Sequence, residues 1–581
     1  MLNIAKRIIE LDANLINKIA AGEVIERPAS IVKELIENSL DAGAKSILIE
    51  VNEGGKSFIK VTDDGHGIAK DQLIVAVKRH STSKIDKVED LFDIRTLGFR
   101  GEALASIGSV SYMKIVSRME DEDVGTVIEV EGGDVRNPKD AAANKGTSIE
   151  VHNLFFNVPA RKKHLKSMYA EFKHIMNVIV RYALINSDIH FKLIHNDQLV
   201  LNVPSTADAL ANVAAVYGNN IAKKMLAIDF NFFDIDVKGF VGKPELTRAD
   251  KNYQSIYVNG RYIRNSMITR AVYDGYGTLL FHGRHPVFIL DMKINPAKID
   301  VNVHPTKSEI RIEKEDNVYS TIRNAVMAVF KDERLMPDVE RIKAKAVETR
   351  LSMSEDQDYR RQALLADSVG VGISGKEGFE EDELNKTKDG KLNIRLVGKI
   401  HNTYIIAEDK EGMILIDQHA AHERVMYEKF MKQYHDKDIK LQKLIEPIML
   451  ELSPTDSLVV KNNLDVFLQL GIEMEEFGKD TFIVRSLPAV LSKQQDKRII
   501  MDMIDELNSG ELSKFSKIKE EQIAIASCRA AVKAHDVLEM PQVYRILQDL
   551  FKCENPNTCP HGRPVMIRFP LYEIEKKFSR K

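Results

Sequence analysis

The chain has 581 residues, 44% of them apolar and 29% charged, a balance that suits several packed cores and excludes a fibrous or disordered protein. Its 83 Lys and Arg against 86 Asp and Glu leave a net charge of −3, so any nucleic-acid contact must come from local basic patches. No run of about 18 uninterrupted apolar residues occurs, and the opening MLNIAKRIIELDANLINKIAAGEV has no apolar region with a cleavage site, so a cytoplasmic protein without a membrane span is expected.

At roughly 150 residues per domain the length predicts three to four domains. The segment SIVKELIENSLDAG reads as an amphipathic helix that Ser30 can cap, with Ile31, Val32, Leu35, Ile36 and Leu40 on one stripe. The opposite face carries Glu34 and Asn38, four apart and hence adjacent. A neutral amide beside a carboxylate suits a Mg²⁺-phosphate site, the amide oxygen ligating the ion and the carboxylate orienting a water. The next strand, FIKVTDDGHGI, ends in Asp63, Asp64, Gly65 and Gly67: a carboxylate that can accept from an adenine amino group, and glycines that let backbone approach the base. RHSTSKI supplies Thr82, Ser83 and Lys84, and TLGFRGEAL runs through Gly98, Phe99, Arg100 and Gly101 into a helix at Glu102, where free N–H groups favour phosphate. Gly146 and Thr147 open a further strand. Each piece is weak alone; the four in this order point to a nucleotide site.

Between Arg161 and Arg181 six Lys or Arg residues, Arg161, Lys162 and Lys163 among them, face one acid, Glu171. Arg261, Arg264 and Arg270 form a second cluster, and both suit a phosphate-binding groove without sequence preference. A helix near 205–225 leads into a second unit with strands SIYVNGRYIR and PVFILDMKI and the loop VNVHPTKSEIRI. Between about 338 and 392 large apolar residues thin out, as expected of a flexible linker. Regular structure resumes at LNIRLVGKIHNTYIIAED, an alternating strand pair.

The three cysteines, Cys528, Cys553 and Cys559, cluster near the C-terminus, which argues against a disulfide framework and for a thiolate metal site. ILIDQHAAHERVMYEKF begins as a strand and becomes a helix on which His419 and Glu423, four apart, can share an ion; Asp417 lies at the strand end, with His422 as an alternative ligand. Glu428 is turned about 140° from Glu423 and is not expected to reach the same ion. SCRAAVKAHDVL offers Cys528 and CPHGRP offers Cys559 and His561, a donor set preferred by Zn²⁺ or a related borderline metal; a closed structural zinc site and buried free thiols are the competing readings. Cys553 lies outside these motifs and reads as a structural thiol.

The first region resembles the GHKL ATPases, a group that includes gyrase B, heat-shock chaperones, histidine kinases and MutL. IAAGEVIERPAS (19–30) with GFRGEAL (98–104), NVPARKKHL and the HPTK loop resembles the MutL family of mismatch repair proteins in particular. The resemblance implies an α+β multidomain chain: a Bergerat-type α/β sandwich ATPase over 1–210, a second ribosomal-protein-like α/β domain over 211–335, a flexible linker over 336–392, and a C-terminal α/β domain over 393–581 for dimerisation and metal binding. It assigns Glu34 as the general base, Asn38 to Mg²⁺, Asp63 to adenine, Gly98 through Gly101 to the phosphates and Lys307 to the γ-phosphate of ATP. A lid matching about 70–100 would order on ATP binding and let N-terminal regions pair, with slow hydrolysis.

DQHAAHERVMYE, SCRAAVKA and CPHGRP resemble the motifs of MutL homologues that nick DNA, with Ser527 where the family usually has Ala. Carried over, Asp417, His419, Glu423, Cys528, Cys559 and His561 become an endonuclease site using Zn²⁺, Mn²⁺ or both. Gln442, Leu444 and Ile445 resemble a sliding-clamp-binding peptide. The implied partners are double-stranded DNA, a MutS mismatch-recognition protein, the clamp and a second copy of the chain, in association with the nucleoid. The sequence thus reads as an ATP-gated homodimer that nicks the strand to be repaired; the alternative is an ATP-dependent matchmaker that recruits a separate nuclease.

Overall fold

Alternating apolar residues set the first sheet. Ile47, Ile49 and Val51 are buried along β1 (Ser46–Asn52), and Ile59 and Val61 along β2 (Phe58–Asp63). The computed structural model describes residues 24–84, 96–98, 101–280, 284–300, 310–332, 394–401, 403–436, 438–489, 497–509, 540–560 and 563–580. Phe99, Arg100, Lys307, the linker, Cys528 and His561 lie outside the described residues. The chain divides into two units, the first comprising Met1–Val329 with Glu451–Asn462 and Gly478–Phe482, the second the remainder.

Helix α1 (Pro28–Asp41) starts two residues before the expected Ser30 cap, with Pro28 in its first turn and no side-chain cap on Arg27. Proline fits there because its fixed φ is helical and its missing N–H has no partner to lose. Ile31, Val32, Leu35 and Ile36 are buried beneath it, and Leu40 packs partly buried against the same core.

The sheet has nine strands. Its order is β5 (Asp134–Val135), β4 (Gly125–Glu131), β3 (Tyr112–Arg118), β7 (Gly146–His152), β2, β1, β8 (His190–His195) and β9 (Gln198–Val203), with β6 (Lys139–Ala141) beside β4. Only β1 and β8 run parallel among the named pairs of this sheet. Helix α2 (Ala103–Ser109) follows the GFRG turn, and α3 (Met168–Ile185) packs on α1. Helix α4 (Ala209–Tyr217) leads onward. The next sheet runs β10 (Met225–Phe232), β11 (Ile235–Gly242), β14 (Phe288–Lys293), β12 (Gln254–Val258) and β13 (Arg261–Ile263). Helix α5 (Ser266–Tyr276) is fastened to it by Tyr276 Oη, which donates to the Gly242 carbonyl at 2.6 Å, and α6 (Glu315–Asp332) follows in the chain. Within this unit Tyr257 Oη donates to the Arg181 carbonyl of α3 at 2.6 Å, and the Arg181 guanidinium lies 4.1 Å from the Tyr262 ring centroid.

In the second unit β15 (Arg395–Ile400), β16 (Tyr404–Asp409), β17 (Gly412–Asp417) and β18 (Met566–Pro570) form an antiparallel sheet in that order. One face, with Ile405, Ala407, Ile414 and Ile416, is buried under α7 (Gln418–His435) and α8 (Met540–Leu550). On the other, Ile406, Leu415 and Ile567 form a row across three strands, with Tyr404 and Ile567 exposed. No helix among the described residues is long and apolar enough to cross a membrane.

Candidate functional site

Helix periodicity places Glu34, Asn38 and Asp41 on successive turns of α1. Asn38 Oδ1 accepts from Lys84 Nζ at 3.0 Å, and Asp41 Oδ2 accepts from the same ammonium at 2.5 Å. Lys84 therefore presents a cation to the amide oxygen that the sequence assigned to Mg²⁺. Glu34 Oε1 pairs with Lys33 Nζ at 3.0 Å, and Lys33 also reaches Glu37 at 3.1 Å. Burial pulls the Lys33 ammonium down, but the charges of Glu37 and Glu34 and their hydrogen bonds outweigh it and carry its pKa up to about 12. Glu37 is itself buried and accepts from Tyr182 Oη of α3.

Asp63 is buried at the end of β2, beside α1. Ser39 Oγ donates to its Oδ2 at 2.7 Å, and the Gly65 and Thr147 amides donate to Oδ1 at 3.0 and 3.3 Å. Burial raises its pKa and those three hydrogen bonds oppose the rise. Gly101 closes on the RHSTS segment: it has φ +62°, and a Cβ there would lie 2.4 Å from the Ser81 carbonyl oxygen, so only glycine permits this approach. Thr82 Oγ1 accepts from the Lys84 amide at 3.1 Å, while Ser83 is exposed. Gly67 turns the chain with φ +80°. The structure thus brings together Glu34, Asn38, Asp63, Lys84, Gly98 and Thr147 around one helix and one strand end. It adds Lys33, Glu37, Ser39, Asp41 and Tyr182, which sequence reasoning missed. Asp41 had a signal, being a carboxylate three residues after Asn38 on the same face; Tyr182, 145 residues from Glu37, had none.

The basic residues divide. Lys162 and Lys163 are exposed on the short helix Pro159–His164, with Arg161 half-buried beside them, and Arg264 is exposed. Arg261, expected in the DNA-facing cluster, instead turns inward: it is part-buried and donates to the Leu97 carbonyl at 3.1 Å and to the Thr96 carbonyl. Arg261 shares its face of β13 with the buried Ile263, whereas Arg264 lies just past the strand end.

In the second unit the strand-to-helix reading holds, and His419 Nε2 lies 3.2 Å from Glu423 Oε1. Asp417 is the cap of α7, its Oδ1 accepting from the His419 and Ala420 amides at 2.9 and 3.0 Å. Cys559 is buried in the apolar core with Ala420 and Ala421. Among the described residues no three His, Cys, Asp or Glu side chains come together as ligands, so the expected six-donor cluster is not assembled by them; its other two donors, Cys528 and His561, lie outside. One feature fits an ion: His419 Nδ1 is buried without a hydrogen-bond partner among the described residues. Glu428 accepts from the Glu554 and Asn555 amides at 2.6 and 3.1 Å, a loop-holding role apart from His419. Cys553 donates to the Asp549 carbonyl, and burial together with Glu428 pushes its thiol up to about 12. On the strand Leu441–Glu451, Gln442 is exposed, Leu444 is buried and Ile445 is 98% exposed, so only one of the expected apolar pair faces outward.

Three family models match the chain: a histidine kinase-, DNA gyrase B- and HSP90-like ATPase over residues 26–161, the DNA mismatch repair protein C-terminal domain over 213–331, and the MutL C terminal dimerisation domain over 397–538. The DNA mismatch repair protein MutL of Halothermothrix orenii is 36% identical over 99% of this chain and 100% of its own length. That of Bacillus anthracis is 38% identical over 99% of both. A solved Aquifex aeolicus MutL ATPase domain complexed with ADP is 27% identical and covers 47% of this chain and 94% of its own, with a TM-score of 0.36. With a GHKL-type ATPase domain at one end, a dimerisation domain at the other and full-length relatives above 30% identity, the chain belongs to the MutL family of DNA mismatch repair proteins.

Proposed function

We propose that this protein is an ATP-gated homodimeric clamp that couples mismatch recognition by a MutS protein to metal-dependent nicking of DNA. The observation that carries the nucleotide half is the grouping of Glu34, Asn38 and Asp41 on one face of α1, with a lysine ammonium against Asn38 Oδ1. In this reading Asn38 holds Mg²⁺ and Asp63 accepts from the adenine amino group. Lys84, Thr82, Ser83, Thr147 and the Gly98–Gly101 turn, with Phe99 and Arg100, line the phosphates, and Lys307 reaches the γ-phosphate. Glu34 takes a proton from the attacking water onto its carboxylate. Lys33 pairs with that carboxylate and holds it in place. The division into 1–210, 211–335, 336–392 and 393–581 belongs to the same proposal.

For nicking, the supports are the DQHA-x2-E and CPHGRP motifs, the approach of His419 Nε2 to Glu423 Oε1, and a buried His419 Nδ1 that has no hydrogen-bond partner among the described residues. His419, Glu423, Cys528, Cys559 and His561 would hold Zn²⁺ or Mn²⁺. A bound divalent ion supplies acidification of water and stabilisation of phosphodiester oxygens. Asp417 caps α7 through Oδ1 and would meet the ion through its second carboxylate oxygen, the atom that asparagine replaces with an amide nitrogen. Lys162, Lys163 and Arg264 are proposed to meet DNA phosphates, with Arg161 beside them, and Gln442, Leu444 and Ile445 the sliding clamp. The outer row Ile406–Leu415–Ile567 is the proposed contact between copies, because an apolar face left in water favours burial against itself.

Asp417→Asn tests the nicking half. Asparagine caps a helix about as well as aspartate, so the fold should persist, with an unchanged melting temperature and normal ATP hydrolysis, while Mn²⁺-dependent nicking of supercoiled plasmid is lost. A variant that nicks at the wild-type rate refutes this site. Wild type that never nicks in Mg²⁺, Mn²⁺ or Zn²⁺ favours the matchmaker reading.

A further inference from the structure

The peptide group between Leu97 and its neighbours is held from both sides. Asp41 Oδ1 accepts from the Leu97 amide at 3.0 Å and Asp41 Oδ2 from the Gly98 amide at 3.1 Å. From the opposite side Arg261 donates Nη1 to the Leu97 carbonyl at 3.1 Å and Nη2 to the Thr96 carbonyl. Thr96 Oγ1 closes the turn on the Gly98 carbonyl at 2.8 Å. The three residues therefore form a short rigid link between α1, which carries Glu34 and Asn38, and β13 of the second sheet.

Both ends of the link are anchored. Asp41 is the last residue of α1 and its side chain is largely buried. Arg261 opens β13, paired to β12 with Arg261 opposite Val258, and the neighbouring Tyr262 ring packs against Arg181 of α3. Burial draws the Arg261 guanidinium below its usual pKa, while Glu37, Tyr182, Asp41 and Glu34 act against that. The two carbonyls and surrounding carboxylates thus suit a charged, forked donor; a lysine cannot span two adjacent carbonyls in the same plane. Gly98 lies over the site: a Cβ there would stand 3.2 Å from Lys84 Nζ and 3.8 Å from Asn38 Oδ1.

We propose that Asp41 and Arg261 are positioning residues, the two jaws of a clamp on the Thr96–Gly98 backbone that transmits occupancy of the α1 site to the second sheet and holds the phosphate-facing turn in its hydrolytic position. The proposal rests on the nucleotide reading given above. Neither side chain needs to touch ATP. Asp41 orients amides and Arg261 orients the carbonyls of the same peptides, so each is ineffective without the other.

ATP hydrolysis and binding of a non-hydrolysable ATP analogue are measured on the full chain for wild type, Asp41→Asn, Arg261→Met, Arg261→Lys and the double variant Asp41→Asn/Arg261→Met. Each single variant should lower kcat about 10- to 100-fold, as misplacement of a reacting group does, with analogue affinity within about threefold of wild type. The double variant should be no slower than the slower single, because both jaws act on one peptide. Amide exchange at Leu97 and Gly98 should quicken in Asp41→Asn. Wild-type kcat in Arg261→Met, or strictly multiplicative losses, would overturn the clamp. A melting temperature lowered without nucleotide, with analogue affinity lost in parallel, would assign these residues to folding alone and also overturn it. Glu34→Gln separates the two readings: if it hydrolyses ATP normally the nucleotide site itself is wrong, whereas if it is dead and Arg261→Met is normal only the clamp fails.

Discussion

The α1 site and the α7 site are both built on a helix that follows or precedes a strand, yet they stand in different states. At α1 the acidic and amide groups already have cationic or backbone partners: Lys84 on Asn38 and Asp41, Lys33 on Glu34 and Glu37, and three donors on Asp63. In the proposed reading, a ligand there would exchange one set of charge-assisted bonds for another on groups already held in place. At α7, among the described residues, His419 meets Glu423, Asp417 Oδ1 caps the helix, and His419 Nδ1 is buried without a hydrogen-bond partner. In the proposed reading a metal ion would supply the bond that this nitrogen lacks.

The contrast can be broken most severely at Glu34. Glu34→Gln removes the base but keeps the shape, and ATP turnover should fall by about 10²–10⁴-fold with binding retained; turnover near wild type ends the assignment. Ile567→Asp, placing a charge in the outer row of the four-stranded sheet, should weaken self-association about 30-fold or more by analytical ultracentrifugation. A dimer of unchanged affinity would move the contact elsewhere. His419→Ala should lower Zn²⁺ affinity by at least about 10-fold, since even the outer partners of a ligand cost that much; equal metal content by mass spectrometry would deny it a ligand role. The smallest effect concerns Lys33. Its folded pKa is raised from 10.5 to about 12, so its stabilisation is fully present below pH 10.5 and lost as pH climbs toward 12. Lys33→Met should flatten that alkaline fall in the denaturation midpoint, and an identical fall in both proteins would remove Lys33 as its cause.

Much of this was legible in the sequence because local patterns carried it. The period of α1, the alternation of β1 and β2, and the strand-to-helix switch at Asp417 follow from side-chain spacing within single segments. The start of α1 was misjudged because Pro28 outcompeted Ser30 for the first turn. Arg261 was misread for a different reason: by charge alone it is indistinguishable from Arg264, and only its place in the hairpin of β12 and β13 turns it inward. Tyr182 and Glu37 meet across the packing of α1 on α3, a pairing that no spacing rule reaches.

The second site has a direct test. Crystals of the full chain grown with Zn²⁺ or Mn²⁺ and measured on both sides of the metal absorption edge should give an anomalous peak beside His419 and Glu423, shared with the sulfurs of Cys528 and Cys559. A clear map of α7 with no peak there, and with those sulfurs turned elsewhere, would contradict the metal centre and leave the nucleotide site as the sole seat of chemistry in this account.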